Sequence, residues 1–446
     1  MSDETPSLSV AIVGAGPAGF YAADALVRKP EACRIDILDR LPTPYGLVRA
    51  GVAPDHQNTK NVIRVYDRIL QNDAVRLIGN IELGRDVAYD ELKSIYDVLI
   101  LAVGAQAPRS LGIPGESLFG VVDSTGFVNW YNAVPGSLDL SEEVNAQTAV
   151  VVGNGNVALD IARLLAKTPA EMAQSDIDPG AADAITAAPL TNIYVVGRRG
   201  PLQASFTSPE LSEFGQLEDA APVVDPTIMP ESAADVPDAE RPKKEKNLRI
   251  LKAFSEVDGA ADPRPVKIHL MFYASPVEIL GDDRVSAVRF ERTRLEDGRA
   301  VPTGETFEID AQLFVSAIGY RSASGEDGPP IDEARGTIKN DSGRVEDGVY
   351  VVGWARRGPT GVIGTNRNDA RSVVDQIIDD HVAPGKPGPE GLDALLAERA
   401  AETTSYEDWQ RIDQAEVAAG SGNRPRVKFT RIEDMIDAAK VDPNAD

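Results

Sequence analysis

The sequence predicts an α/β protein that contains two dinucleotide-binding, Rossmann-like domains. Two glycine-rich turns carry this prediction, one at residues 14–19 and one at residues 153–158. Each turn follows a short apolar stretch and opens a segment with helical spacing of its apolar residues, the pattern of a strand–turn–helix unit that holds a pyrophosphate. With 446 residues, the chain is long enough for two or three domains with separate cores.

The first nucleotide unit starts at an apolar strand, Leu8 to Val13. The turn that follows consists of Gly14, Ala15, Gly16, Pro17, Ala18 and Gly19. Proline suits the first turn of a helix, which here runs on through Leu26. A second strand, Arg34 to Leu38, ends at Asp39, twenty residues after the last glycine of the turn. An acid at this position is expected to accept hydrogen bonds from a ribose.

The segments after this unit alternate between loop, helix and strand. Residues 42–49 form a loop, because two prolines forbid a helix and Gly46 permits an unusual backbone. A helical pattern covers Val62 to Leu70. The continuous apolar run Val98 to Val103 then ends in glycine, as expected for a parallel strand buried on both faces.

The second nucleotide unit starts at the strand Thr148 to Val152, and its turn includes Asn154, Gly155, Asn156 and Val157. The next strand ends at Gly197, where a protein that binds NAD would carry an acid for the ribose 2′-hydroxyl. Arg198 and Arg199 stand there instead. Charged hydrogen bonds from two guanidinium groups, at about 1.5–3 kcal/mol each, would favour a 2′-phosphate and therefore NADP over NAD by roughly 10² to 10⁴.

The two units therefore differ in character, one with an acid and one with arginines. A protein seldom needs two reduced nicotinamides. The natural pairing is a flavin dinucleotide, FAD, on the first unit and NADPH on the second, with the flavin as hydride acceptor.

The remaining chain holds two insertions and further regular elements. Residues 170–189 are rich in Ala, Asp and Pro, and we expect an insertion that is partly disordered. Residues 218–240 form an acidic, proline-rich insertion that turns abruptly basic before a helix that runs to Phe254. Residues 264–301 indicate β-hairpins, 313–319 and 349–353 indicate parallel strands, and the chain beyond Pro387 is helical and polar.

Composition limits the function classes. The net charge of −25 argues against nucleic acid and anionic membrane as partners. A single cysteine, Cys33, excludes an internal disulfide and a cysteine-ligated iron–sulfur cluster, and three histidines argue against a zinc site. No apolar run approaches the roughly 20 residues of a membrane span. The polar N-terminal residues show no secretory signal, so we expect a cytoplasmic protein without bound metal.

Four motifs in order give a specific family resemblance. They are Gly14 to Phe20, Pro42 to Val48 with Pro54-Asp55-His56, Gly197 to Gln203, and Gly353-Trp354 to Gly364. Over about residues 8 to 380 the chain resembles adrenodoxin reductase, and more closely the bacterial ferredoxin–NADP reductases of that type. The resemblance implies a glutathione-reductase-like architecture, with an FAD domain at 1–104 and 320–446 and an NADP domain at 105–319 that holds both insertions.

The resemblance also implies roles for individual residues. FAD would be held by the residues of the first turn, by Asp39, where the family usually has Glu, and by Leu47, Leu83, Trp354, Gly361, Val362 and Ile363. NADP would be held by Arg109, Asn154, Gly155, Asn156, Val157, Arg198, Arg199 and Glu210. His56 and Glu213 match the family's active-site pair near the nicotinamide, with Glu210 on the same helix face as Glu213.

The implied reaction is hydride transfer from NADPH to FAD, followed by single-electron transfer to a ferredoxin. An acidic ferredoxin would dock on a basic run, which consists of Arg241, Lys243, Lys244, Lys246 and Arg249. Three alternatives stay open: the electron-input subunit of a larger flavoenzyme such as glutamate synthase, a flavin monooxygenase, and a non-catalytic NADP sensor. The first alternative usually brings cysteines for iron–sulfur clusters, which this chain lacks.

Overall fold

The computed structural model describes residues 7–30, 33–322 and 328–441. Residues 1–6, which belong to the polar N-terminal stretch, lie outside the described residues. The helices are α1 (Pro17–Val27), α2 (Leu47–Ala50), α3 (Gln57–Lys60), α4 (Ile63–Leu70), α5 (Tyr89–Ile95), α6 (Ser124–Tyr131), α7 (Asn156–Leu165), α8 (Pro169–Met172), α9 (Pro179–Ala187), α10 (Ser208–Glu213), α11 (Arg241–Ser255), α12 (Trp354–Arg357), α13 (Thr365–Asp379), α14 (Pro389–Glu398), α15 (Tyr406–Ala418) and α16 (Ile432–Lys440).

The strands are β1 (Leu8–Val13), β2 (Cys33–Leu38), β3 (Val75–Ile78), β4 (Val98–Leu101), β5 (Ala107–Pro108), β6 (Val121–Asp123), β7 (Thr148–Val152), β8 (Asn192–Val196), β9 (Ala220–Val224), β10 (Val266–Met271), β11 (Ala274–Gly281), β12 (Val285–Glu296), β13 (Arg299–Asp310), β14 (Leu313–Ser316), β15 (Tyr320–Arg321), β16 (Ile331–Asp332), β17 (Thr337–Ile338), β18 (Arg344–Glu346) and β19 (Val349–Val351).

The first large sheet is built from both ends of the chain. Its strand order is β18-β19-β4-β1-β2-β3, and only the β18–β19 pair is antiparallel. In the register, Val13 is paired with both Leu38 and Leu101, and Val351 is paired with Leu101. The turns that follow these parallel strands therefore meet at one edge of the sheet, where a ligand crevice is expected.

The second large sheet is built from the middle of the chain, with the order β6-β14-β7-β8-β10-β9 and parallel pairing throughout. Val152 is paired with Val196 and Ser316, so the second glycine turn and the two arginines after β8 share one edge. Strand β10 belongs to this sheet, and only β11, β12 and β13 form the antiparallel hairpins expected from residues 264–301. The predicted α/β class with two Rossmann-like sheets is confirmed.

The chain passes from the first sheet to the second between β4 and β6, and it returns to the first sheet between β14 and β18. In this region β5 pairs with β15 in a short antiparallel ladder, in which Ala107 is paired with Arg321 and Pro108 with Tyr320. The predicted boundaries at 104/105 and 319/320 fall next to this ladder. Their placement stays a prediction.

Residues 170–189 are ordered, so the expectation of partial disorder is wrong. They hold part of α8 and all of α9, and Met172, Ala181 and Ile185 are buried in the core of the second sheet. Small alanines, which look like low-complexity composition in the sequence, here allow a helix to pack closely. The acidic stretch 218–240 likewise contributes β9, which pairs with β10 at the edge of the sheet.

The C-terminal helices pack against the first sheet, with Trp409, Ile412 and Met435 in its core. Arg49 donates two hydrogen bonds to Glu416, whose side chain is fully buried. Lys428 is buried too and donates to Asn132, which follows α6. The described residues include no helix with the length and apolar character that crossing a bilayer would require.

Candidate active site between two nucleotide folds

The first glycine turn cannot accept larger residues at its ends. Gly14 has φ +114°, and a Cβ there would lie 2.5 Å from the carbonyl oxygen of Ala102. A Cβ at Gly19 would lie 2.1 Å from the carbonyl oxygen of Gly14. Helix α1 has Gly16 as its N-cap without a side-chain cap, and its first turn carries no acid. Its first N–H groups are therefore suited to an anion such as a pyrophosphate.

Asp39 connects the first turn to the end of β2. Its carboxylate accepts hydrogen bonds from the backbone N–H of Ala15 at 2.8 Å and of Leu41 at 3.0 Å. Burial raises the pKa of Asp39, while these backbone donors act in the opposite direction. Asp39 thus fixes the shape of the glycine turn, a role that the sequence did not indicate. The expected contact with a ribose stays a prediction.

The other flavin-side candidates lie around the same sheet edge. Leu47 and Val362 are large apolar side chains left 40% and 65% exposed, as expected for residues that border a planar ligand. Trp354 stacks on Tyr320 with ring centroids 6.2 Å apart and donates to the carbonyl of Thr360. Gly361, Ile363 and Leu83 complete the set: the glycine has φ +83°, and the two aliphatic side chains pack against the core.

The second glycine turn repeats the construction of the first. A Cβ at Gly153, which has φ +145°, would lie 2.2 Å from the carbonyl oxygen of Ala317. Helix α7 has Gly155 as an N-cap without a side-chain cap, and its first turn carries no acid. Arg198 and Arg199 are exposed at the same edge, and neither takes part in the ion pairs found among the described residues. Two guanidinium groups beside a free helix N-terminus are a suitable site for a phosphorylated ribose.

Residues 204–208, here named the strap, cross the second glycine turn. The carbonyl of Asn154 accepts the backbone N–H of Ser205 at 2.8 Å and of Phe206 at 3.0 Å. The side chain of Asn156 accepts the N–H of Thr207 at 2.8 Å. These two asparagines therefore hold the strap, and Val157 packs against the core beside them. Arg109 is exposed and donates to the carbonyls of Tyr320 and Arg335.

His56 and Glu213 meet between the two sheets. The Nε2 atom of His56 lies 3.0 Å from Oε2 of Glu213. His56 is the N-cap of α3 and Glu213 ends α10, so 157 positions of sequence separate the two residues. Glu210 lies one turn earlier on α10, and its Oε2 atom is buried without a hydrogen-bond partner among the described residues. A buried acceptor of this kind fits a donor from a bound ligand, such as a ribose hydroxyl.

Arg163, on α7, joins this pair to a larger charged network. Its side chain is only 1% exposed, and its Nη1 atom lies 2.8 Å from Glu213 and 2.7 Å from Asp160. Its Nε and Nη2 atoms donate to the two carboxylate oxygens of Asp55 at 2.9 and 2.8 Å. Lys167 contributes a second cation, 2.7 Å from Asp55. The network therefore ties the loop that carries His56 to the helices of the second sheet.

The network sets the protonation of its members. Burial alone would raise the pKa of Asp55, but the hydrogen bonds and charges of Arg163 and Lys167 hold it well below the ordinary value. Burial is likewise the largest single effect on His56 and disfavours a charged imidazole, but the hydrogen bond to Glu213 and the charges of Asp160 and Asp55 together outweigh it and raise the pKa of His56. The pair can therefore present a protonated imidazole to a bound ligand at a higher pH than a free histidine could.

Known proteins with the same construction can now be compared. A family model described as pyridine nucleotide-disulphide oxidoreductase matches residues 8–214. The chain is 38% identical to the human mitochondrial NADPH:adrenodoxin oxidoreductase over 97% of this chain and 92% of the relative. It is 39% identical to the NADPH-ferredoxin reductase FprA of Mycobacterium tuberculosis H37Rv, over 96% and 98%. The solved structure of M. tuberculosis FprA in complex with NADPH superposes with a TM-score of 0.92 and 36% identity, over 97% and 99%. The chain belongs to the adrenodoxin reductase family.

The adrenodoxin reductase motifs in the sequence identified the His56–Glu213 pair but not the residues that support it. Arg163, Asp160 and Lys167 were not predicted. A signal was present, because Arg163 falls among the apolar positions of α7, with Ala162 and Leu164 buried on either side. A cation on the apolar face of an amphipathic helix indicates a buried partner, although the sequence does not show which one.

The residues of the basic run that would dock a ferredoxin lie on different faces of helix α11, some exposed and one buried. Lys243, Lys246 and Arg249 are exposed on α11. Lys244 is only 8% exposed, and its Nζ atom donates to the carbonyl of Ala204 at 2.5 Å. Arg241 is half-buried and donates to two carbonyls of the acidic stretch before it. The prediction that Lys244 lies on a docking surface is therefore wrong, because its position on α11 faces the strap.

Proposed function

We propose that this chain is an FAD-dependent ferredoxin–NADP reductase, in which NADPH reduces FAD and the electrons pass singly to a ferredoxin. The observation that carries the proposal is the charged network around Arg163. It ties Asp55, which precedes His56, to α7 and α10, so that His56 and Glu213 meet beside the second glycine turn. Both glycine turns open a helix with a free N-terminus. The relatives support the proposal, because FprA is named an NADPH-ferredoxin reductase.

The residues on the first sheet fit FAD, and those on the second fit NADP. A bound FAD supplies the chemistry of the reaction, because it accepts a hydride and can release electrons one at a time. The protein contributes orientation. Transfer between two rings requires a near-attack geometry that depends on the relative position of the two domains. Arg163 contributes to that relative position, because it binds both Asp55, in the loop that carries His56, and Glu213, at the end of α10.

His56 and Glu213 would orient the nicotinamide, and Glu210 would accept a hydrogen bond from its ribose. A protonated His56 donates from Nε2 to Glu213, which leaves its Nδ1–H free for a carboxamide oxygen. The exposed Arg198 and Arg199 would bind the 2′-phosphate. The N-terminal N–H groups of α7 would bind the pyrophosphate.

The exposed residues Lys243, Lys246 and Arg249 are proposed to dock the ferredoxin. The first turn of α11 carries cations and no acid, although the positive end of the helix dipole disfavours cations there by about 0.3–1 kcal/mol each. In a chain with a net charge of −25, this concentration of positive charge is expected to have a function. These cations would attract an acidic partner that comes within a Debye length of about 8 Å. The cytoplasmic location stays a prediction.

The function is tested by anaerobic titration of the purified protein. We expect visible flavin absorption that one equivalent of NADPH bleaches, whereas the same amount of NADH does not. Addition of an oxidised ferredoxin should then restore the absorption. A colourless protein, or a coloured one that NADPH does not bleach, would contradict the proposal. Oxygen consumption that requires an organic substrate would indicate a monooxygenase instead.

A further inference from the structure

Lys244 is a buried cation without a carboxylate partner. None of the ion pairs found between described residues includes it, and its hydrogen bond goes to the neutral carbonyl of Ala204. Other buried cations of the chain differ in this respect, since Arg163 and Lys60 each lie within 2.8 Å of a carboxylate oxygen. A buried ammonium without a counter-ion reduces folding stability, which suggests that an anion from outside the chain compensates it.

The surroundings of Lys244 indicate where that anion binds. Ala204 begins the strap, which follows Arg198 and Arg199 by a few residues and crosses the second glycine turn. Burial lowers the pKa of Lys244, and the charge of Lys243 lowers it further; Glu240 acts in the opposite direction, and Arg199 adds a smaller lowering effect. The ammonium therefore lies within electrostatic reach of Arg199, and it contacts the strap at Ala204, five residues further along the chain.

A second buried contact holds the strap in the same place. The side chain of Asn247, one turn after Lys244 on α11, donates to the carbonyl of Phe206 at 3.1 Å and accepts from Ser208 at 2.6 Å. The strap is thus fixed between α11 and the asparagines of the glycine turn. The strap is therefore held at Phe206 and Ser208 as well as at Ala204, where Lys244 donates.

We infer that Lys244 is a further determinant of nucleotide choice: it supplies positive charge behind Arg198 and Arg199, and the 2′-phosphate of NADP is the anion that compensates it. The inference rests on the proposed assignment of NADP to the second glycine turn. Lys244 acts through the field of its charge, without contact to the nucleotide, so it is a positioning and specificity residue.

The test is calorimetric binding of two fragments to the FAD-loaded protein, adenosine 2′,5′-bisphosphate and adenosine 5′-monophosphate, which differ by the 2′-phosphate. Lys244→Gln removes the charge but can still donate to Ala204. We expect it to weaken bisphosphate binding about tenfold and monophosphate binding by less than about twofold, because only the former adds a dianion near the lost charge. Lys244→Arg should bind both fragments as the wild type does.

Lys252→Gln is the matched control. Lys252 lies on the same helix and also donates to a neutral backbone carbonyl, that of Glu231 at 2.7 Å, and it should not affect either fragment. Equal binding of the bisphosphate by wild type and Lys244→Gln would overturn the inference. So would an equal loss for both fragments, which would mean that Lys244 only places the strap, or a loss confined to ferredoxin affinity. A wild-type protein that does not prefer the bisphosphate would instead refute the NADP assignment itself.

Discussion

His56 shows how a single titrating residue depends on its neighbours. Its imidazole is 18% exposed, and it is in contact with Glu213, which Arg163 also binds. The pKa of His56 is raised, so the folded protein binds a proton here more tightly than the unfolded chain does. Stability from this pair is then fully present below the ordinary histidine pKa, and it is lost as the pH rises through the folded value.

We therefore predict that His56→Gln removes a pH-dependent part of the stability. The free energy of unfolding should differ most between wild type and variant near pH 5.5, and the difference should shrink toward pH 8.5. Thermal and denaturant unfolding of the FAD-loaded proteins would measure it. A difference that is constant over this range would show that His56 is not protonated preferentially in the folded state. Retention of FAD by the variant would show that His56 does not hold the flavin.

The two exposed arginines after β8 should decide between NADPH and NADH. Replacement of both Arg198 and Arg199 by Ala is expected to raise the KM for NADPH about 100-fold or more and to change the KM for NADH little, because only NADPH carries the 2′-phosphate. Steady-state kinetics with both nucleotides would measure the ratio. Equal changes for the two nucleotides would refute the assignment of these arginines.

Helix α11 has two faces with different tasks. Its inner face carries Lys244 and Asn247 against the strap, and its outer face carries Lys243, Lys246 and Arg249. The hydrogen bonds of the inner face fix the orientation of the helix, so the outer cations project from a rigid support. A docking surface built this way needs no ordering of its backbone on binding, so only the side chains lose conformational freedom.

We predict that Lys243, Lys246 and Arg249, replaced together by Gln, slow the reduction of an acidic ferredoxin about tenfold or more at low ionic strength and flatten its salt dependence. Flavin reduction by NADPH should not change. The control removes the same charge elsewhere, with Gln at the exposed residues Arg294, Arg299 and Lys440. If both triple variants lose rate equally, the effect comes from net charge and α11 is not the docking surface.

At the scale of the molecule, charged residues connect distant parts of the chain. The Arg163 network joins residues 55–56 to α7 and α10. A second buried group joins α2, the segment after α6 and the C-terminal tail: Arg49 binds Glu416, and Lys428 donates to Asn132. Such groups contribute to specificity of arrangement more than to net stability, because their desolvation offsets much of the attraction.

Arg163→Met tests the first of these groups. Loss of the cation leaves Asp55 and Asp160 buried without their main partner, so we expect destabilisation of about 3–5 kcal/mol near pH 8. This destabilisation should become smaller toward pH 5. Without Arg163 the buried carboxylates have raised pKa values, so they can be protonated in the folded state. Denaturant unfolding at several pH values would measure it.

The control for Arg163→Met is Arg28→Met. Arg28 forms an exposed i,i+4 pair with Asp24 and is 74% exposed, so its loss should cost no more than about 0.5 kcal/mol at any pH. A small and pH-independent loss for Arg163→Met would show that the carboxylates find other partners. Slower flavin reduction by NADPH in a stable variant would support the role of Arg163 in positioning the two domains.

The sequence by itself determined the two strand–turn–helix units, the contrast between Asp39 and the arginine pair, and the family. These features depend on residues close together in the chain, whose backbone and charge requirements are local. Only the tertiary structure decided that Arg163 lies buried between three carboxylates, that Lys244 faces the strap and that residues 170–189 are helical. Burial and pairing depend on which distant surfaces pack together, and a residue's type and its neighbours in sequence do not specify them.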